Sequence, residues 1–388
     1  MGWDRQPSET VAAPLALSPA RWLAALAIAG LAGVSLFLLH ASQRLALLQS
    51  VNIWLFAFAP LLLVALAFAV RAFRYGGTLS HHAFLADEAQ LAQESWETWT
   101  GRYLTVHDSC ALLPERVSGA LLAKGVEELS LHTGQARRLS MLPDDPFDRI
   151  QLSLLRLLEA LQPSLEELGA KAPLRATLLC DAETTRGGQI AESWRRVWIN
   201  VMGDEPWTPL IQETELSLAR IDEKIRTGEP SLELILVVQT EGGEAYSDAL
   251  AALLVCLDTS PAPGPLPVKA RLLRPMPLDI SDLQGEVAEF MQSQRAARSA
   301  TGLLADVAQW QQASAPVLAA SQAADAALKA EQQWIQERYS GVPGPFSSWA
   351  GLALGIELVQ HRQEALLVLG KEQDRQWLST LTGHKESA

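Results

Sequence analysis

The chain has 388 residues, of which 48% are apolar, and a formal net charge of −13. That length builds one large domain or two ordinary ones with a substantial core. From about residue 80 onward 26 Lys and Arg stand against 42 Asp and Glu, a balance that repels phosphate backbones and argues against nucleic acid as a partner.

The apolar excess is concentrated at the start. After an N-terminal tail over residues 1–20, the run from Leu23 to Leu39 is apolar apart from Ser35, and the run from Ile53 to Val70 has no polar side chain. Each is close to the length that spans the hydrocarbon of a bilayer, at about 1.5 Å per residue. A transmembrane hairpin is expected over residues 21–72, with the lipid bilayer as its partner; a cleaved signal peptide is the competing reading of the first run. Trp22 and Trp54 stand at headgroup level. Arg5, Arg21, Arg71 and Arg74 flank the pair, whereas the connecting loop has only Arg44, so both termini and the main domain are expected in the cytoplasm. Ala25, Ala29 and Gly33 share one helical face, as do Ala65 and Ala69, which allows close approach. Pro60 should kink the second span. A juxtamembrane helix bearing Trp96 and Trp99 is expected over residues 73–100.

Alternating strands and helices follow, in a first half over 101–260 and a second over 261–388. An extended run near Tyr103 to Val106 leads to a helix opened by Asp145 and Pro146 and stopped by Gly169. "LRATLLC" reads as a buried strand. Thr208 and Pro209 are expected to open a helix running from Leu210 to Gly228. "LELILVVQ" has the composition of a buried parallel strand, and Leu250 to Leu257 of a strand returning beside it, joined through Gly242 and Gly243. Beyond "SPAPGPLP", "VKARLLRPMP" reads as a strand and "DISDLQGEVAEFMQSQR" as a helix opened by Asp279 or Ser281. The Ala-rich stretch Thr301 to Glu337 is expected to be helical, with Trp310 and Trp334 in the core or an interface. "PFSSWAGLALGIELV" is a small-residue helix, and "EALLVLG" with "DRQWLSTLTG" a terminal hairpin. Two similar α/β halves follow from this pattern.

Few residues suggest chemistry. Tyr246, Ser247 and Asp248, ahead of Cys256, form a polar patch that reads as strand entry. Cys110, Cys180 and Cys256 each lie in or beside an apolar run, as buried free thiols do. His81-His82 and His107-Asp108-Ser109-Cys110 lack metal-ligand spacing. "GGQIAES" lacks the Lys-Ser/Thr of a phosphate loop. No catalytic residue, metal or cofactor is expected.

"LELILVVQ…EAYSDALAALLVC" and "GVPGPFSSWAGLALGIELVQHRQEALLVLGKEQDRQWLSTL" resemble the two halves of the thiolase-like fold of condensing enzymes. The resemblance implies a duplicated α/β domain. It also implies a cysteine nucleophile at a helix start in the first half, and two histidines, or a histidine and an asparagine, in the second. "YSGVPGPFSSWAG" contains no His or Asn, and after residue 260 only His361 and His384 occur. Cys110 comes too early, and Cys180 and Cys256 sit within strands. The expectation is a degenerate, non-catalytic copy. Its layout is similar to that of inner-membrane accessory proteins of bacterial type VI secretion, which implies a membrane-anchored adaptor that binds a secretion effector, toxin or secretion component. An immunity protein and an acyl-transfer or condensing enzyme are the alternatives, and a homo-oligomer is left open. Trp194, Trp198 and Trp207, in a segment without a clear secondary-structure pattern, are the expected binding surface; plugging the core between the halves is the competing role.

Overall fold

A computed structural model describes residues 2–3, 11–42, 52–125, 129–168, 173–183, 186–203, 207–228, 231–259, 266–373 and 375–384. It divides into two compact units, Gln6–Ser95 and a body made of Met1–Arg5 with Trp96–Ala388.

In the first unit two helices, α1 (Pro19–Ala41) and α2 (Ile53–Thr100), are long and apolar enough to cross a membrane. They pack against each other through Trp22 on Phe68, with ring centroids 5.1 Å apart, and Phe37 on Trp54 at 5.9 Å. Gly33 allows the approach, because a Cβ there would lie 2.5 Å from the Ala57 carbonyl oxygen. Ala29 and Gly33 are buried as their spacing suggests, whereas Ala65 and Ala69 are exposed. No separate juxtamembrane helix forms. The 48 residues of α2 run unbroken through Pro60, Gly76 and Gly77, although each glycine lowers helix propensity by about 1 kcal/mol.

The body is built on β1 (Tyr103–Leu112), β2 (Leu174–Cys180), β3 (Leu210–Glu213), β4 (Leu232–Gln239), β5 (Ala249–Leu257), β6 (Ala270–Leu273), β7 (Met276–Leu278), β8 (Gly302–Ala305), β9 (Gln333–Ile335), β10 (Leu366–Glu372) and β11 (Arg375–Gly383). Between them lie α3 (Gly119–Lys124), α4 (Pro146–Leu168), α5 (Gly187–Met202), α6 (Ala219–Thr227), α7 (Leu283–Ser293), α8 (Arg295–Ser299), α9 (Ser314–Ala323), α10 (Gln336–Ser340) and α11 (Ser347–Arg362). The strand order is β3-β2-β4-β5-β1-β6-β11-β10-β8-β9, with β7 paired to β11. Read outward from the centre, the two halves are the same series. In each, the second strand is parallel to the third and fourth, the fifth is antiparallel to the fourth, and the first is antiparallel to the fifth. β1 and β6 join the halves antiparallel.

Three apolar layers hold this sheet. α4 and α5 cover one face of the first half, with Leu154, Leu157, Leu158 and Trp194 fully buried. α7 and α9 cover the corresponding face of the second half around Phe290, Met291 and Val317. α11, with α3 and α6, lies between strands of both halves. Its small residues are required: a Cβ at Gly355 would meet Leu381 Cδ1 at 2.7 Å, and one on Gly119 of α3 would meet the Leu358 nitrogen at 2.4 Å.

Two expected helices are replaced. Leu210–Glu213 is a strand paired parallel to β2, and the helix begins only at Ala219. The Ala-rich stretch contains β8 and β9, which pair parallel to each other, with the ten-residue α9 between them. In both places strand pairing overrides local propensity. The α4 start is as its sequence suggests, with Asp145 Oδ1 accepting from the backbone N–H of Phe147 at 2.9 Å and of Asp148 at 3.1 Å. Gly169, its expected stop, lies outside the described residues.

Candidate active site

The helices of the third crossover of each half begin around the same carboxylate. In the first half β3 leads through Thr214–Leu218 into α6, which closes on Gly228 in the left-handed conformation at φ 70°. In the second half α11 begins at Ser347, and the β10–β11 hairpin carries Glu372 beside it. Gly370 permits this approach, since a Cβ there would sit 3.1 Å from Ser348 Cβ. Trp349 Nε1 donates to the Leu216 carbonyl at 2.7 Å, tying α11 to the loop ahead of α6.

Glu372 is the meeting point. Its carboxylate accepts from Ser217 Oγ at 2.5 Å, from Ser348 Oγ at 3.1 Å, and from the backbone N–H of Leu218 at 2.9 and 3.1 Å. Ser217 Oγ in turn accepts from the Ala219 N–H at 3.3 Å. The carboxylate thus stands at the N-terminal ends of two helices, where the partial positive charge of unpaired N–H groups favours an anion. A cavity of about 450 Å³ opens on this group, lined by Leu216, Ser217, Gly344, Phe346, Lys371, Glu372 and Arg375 among others. A hydroxyl hydrogen-bonded to an oriented carboxylate, next to an open cavity, is the arrangement that lets serine attack a carbonyl while the carboxylate takes its proton.

The cysteines do not offer an equivalent centre. His107 Nε2 lies 3.1 Å from Cys256 Sγ, and its Nδ1 lies 3.2 Å from the Pro267 carbonyl. Nδ1 donating to that carbonyl leaves Nε2 to accept from the thiol. Burial lowers the His107 pKa and raises that of Cys256, which disfavours a thiolate–imidazolium pair. Burial likewise pushes Cys110 and Cys180 up to about 12. A thiol held protonated is a poor nucleophile. Among the described residues no three His, Cys, Asp or Glu side chains converge as a metal site.

Tyr246, Ser247 and Asp248 are each tied into the body by polar contacts. The Tyr246 hydroxyl donates to Asp181 at 3.2 Å, Ser247 Oγ accepts from the Arg137 N–H at 3.0 Å, and buried Asp248 pairs with buried Arg149 at 2.5 Å. The expected tryptophan surface is corrected in two of its three residues. Trp194 and Trp198 are 0% and 3% exposed on α5, packed on each other with centroids 5.2 Å apart, whereas Trp207 is half exposed. "AESWRRVWINVM" is a helix with its rings four residues apart on the inward face, a periodicity that the sequence does carry. Ser217, Ser348 and Glu372 escape a reading that looks for cysteine and histidine. The signals they leave are a serine just ahead of a helix and a glutamate at a strand end.

No protein-family model matches the chain, and no curated protein matches it. Among solved structures it is similar to the oxazolomycin ketosynthase domain of Streptomyces albus, at 13% identity over 74% of this chain and 97% of that one, with a TM-score of 0.48. It is similar to a type II acyl-carrier protein–ketosynthase complex, at 10% identity over 73% and 99%, with a TM-score of 0.49. A third is the 3-oxoacyl-(acyl carrier protein) synthase III of Pseudomonas aeruginosa, at 14% identity over 74% and 100%, with a TM-score of 0.41. At these identities the likeness is one of fold. The expected non-catalytic adaptor is corrected by this finding: solved structures similar to the chain in fold include condensing enzymes.

Proposed function

We propose that the body is a thiolase-like acyl-transfer enzyme that uses Ser217 in place of a cysteine, and that α1 and the apolar part of α2 anchor it to a membrane with the body on the cytoplasmic side. The contact between Ser217 and Glu372 at the cavity carries the catalytic reading. In the proposed step Ser217 Oγ attacks the carbonyl carbon of an acyl thioester and its proton passes to Glu372. The carbon–sulfur bond then breaks, the departing thiolate takes the proton from Glu372, and the acyl group is left as an ester on Ser217. Ser348 and the Leu218 N–H orient the base. Lys371 and Arg375 give the cavity two cations suited to an anionic carrier. The arginines flanking the apolar runs, and the lone Arg44 between them, support the anchoring.

The test is mass spectrometry of the full-length protein after incubation with acetyl-CoA and octanoyl-CoA. An acyl adduct is expected on the peptide that contains Ser217, absent in Ser217→Ala and reduced about 10²- to 10⁴-fold in rate in Glu372→Gln. No adduct with either thioester, or one that persists unchanged in Ser217→Ala, overturns the reading.

A further inference from the structure

The body is assembled from two stretches of chain that lie on either side of the apolar helices in sequence. Trp3 comes before α1, yet it is only 7% exposed and sits in an aromatic slot of the body. Its ring stacks on Phe290 at 5.3 Å and meets Trp99 and Trp96 edge-on at 5.7 and 6.2 Å. Its Nε1 donates to the Pro275 carbonyl at 3.3 Å, and the Gly2 N–H donates to Glu286 Oε1 at 2.9 Å. The slot is itself fixed. Trp96 and Trp99 stack at 4.8 Å, Trp96 Nε1 donates to Ser293 Oγ at 2.9 Å, and the Arg274 guanidinium lies 3.7 Å over the Trp99 ring. Aromatic pairs and a cation over a ring each add to simple burial.

We infer that this slot is an intramolecular docking site whose occupant is the segment of this chain that carries Gly2 and Trp3, so that the first apolar helix belongs to the working protein. A peptidase that removed α1 would also remove Trp3 and open the slot. Residues just before α1 and just after α2 share one folded body, so a chain crossing a membrane here does so an even number of times. That consequence rests on the anchoring proposed above; the docking does not.

Hydrogen exchange on the full-length protein in mild detergent tests the docking. In Trp3→Ala the segments Trp96–Thr100 and Leu283–Ser293 are expected to exchange at least tenfold faster than in the wild type, and Trp3→Phe is expected to restore most of the protection. Unchanged exchange in Trp3→Ala overturns the inference. So does an intact mass from cells showing that the residues through α1 have been removed. Side is read separately, with single cysteines added at Ser8 and at exposed Ser299 and probed in intact cells with a membrane-impermeant maleimide. Equal reactivity is expected. Opposite reactivity overturns the even crossing, and release of the protein by alkaline carbonate overturns the anchoring, while exchange still decides the docking.

Discussion

The two halves of the body share one strand order and differ in the helix of the third crossover. In the first half that helix, α6, has 9 residues, of which Ile221, Lys224 and Ile225 are buried. Its counterpart α11 has 16 residues, and its buried face extends over Trp349, Leu352, Leu354 and Ile356 to Val359. One half therefore provides a short helix whose N-terminus meets the cavity, and the other a buried helix that sets where that N-terminus sits. A duplicated topology has not given a duplicated site: the Ser217 hydroxyl comes from one copy and the Glu372 carboxylate from the other.

The largest effect is expected from breaking the second half's helix. Trp349 is 1% exposed and holds the Leu216 carbonyl through its indole N–H. Trp349→Ala should cost about 5 kcal/mol, the upper end for emptying a large aromatic site, and should also abolish acylation of Ser217. Trp349→Phe keeps most of the packing and loses the bond, at about 1 kcal/mol. Equilibrium urea unfolding of the full chain in detergent measures both. If Trp349→Ala cost less than 2 kcal/mol, α11 would not be the central support described here.

In the first half the corresponding weak point is a charge. Lys224 of α6 and Glu233 of β4 pair at 2.5 Å with side chains 8% and 5% exposed, and Thr177 Oγ1 donates to the same carboxylate at 3.0 Å. Lys224→Met leaves a buried carboxylate without its cation and should destabilise by about 3–4 kcal/mol. Adding Glu233→Leu should recover most of that loss, because two apolar side chains have no charge to desolvate. A double variant as unstable as the single one would show that the pair does more than neutralise itself.

The same contrast explains how much of the molecule is legible in the sequence. β4, β5, α4, α11 and the terminal hairpin are readable because their apolar spacing and their caps agree with their tertiary setting. β3 and β8 are not, since four-residue strands take their identity from the neighbours they pair with, and those neighbours are remote in sequence. The Ala-rich composition around β8 favours helix, and pairing with β9 and β10 overrides it. The candidate site is the least legible part. Ser217 and Glu372 are 155 residues apart, and neither has a neighbour that marks it as reactive. A search guided by the family resemblance looks for cysteine and histidine and passes over this serine and glutamate.

The smallest effect expected separates the halves by the pH response of one buried carboxylate in each. Burial pushes Glu233 up, but Lys224, Thr177 and Arg175 together bring it below the usual carboxylate range. Its stabilising contribution is present above its unfolded pKa and is lost as pH falls through the folded one. Asp306, at the end of β8, is paired with no cation among the described residues. It accepts from the backbone N–H of Val307 and Lys371, from Trp310 Nε1 and from Ser347 Oγ, yet burial outweighs these bonds and raises its pKa from 3.8 to about 6. The sign is therefore opposite. The contribution of Asp306 is fully present below pH 3.8 and is lost as pH rises through about 6, an effect of up to about 3 kcal/mol at 1.36 kcal/mol per unit. Asp306→Asn should remove this slope, so the wild type minus variant difference in unfolding free energy should shrink steadily between pH 4 and pH 6.5 and stay flat above it. Parallel profiles for the two proteins across that range would mean that Asp306 is solvated or paired in a way the fold does not show. A difference that grows with pH would mean that its four donors, not its burial, decide its charge.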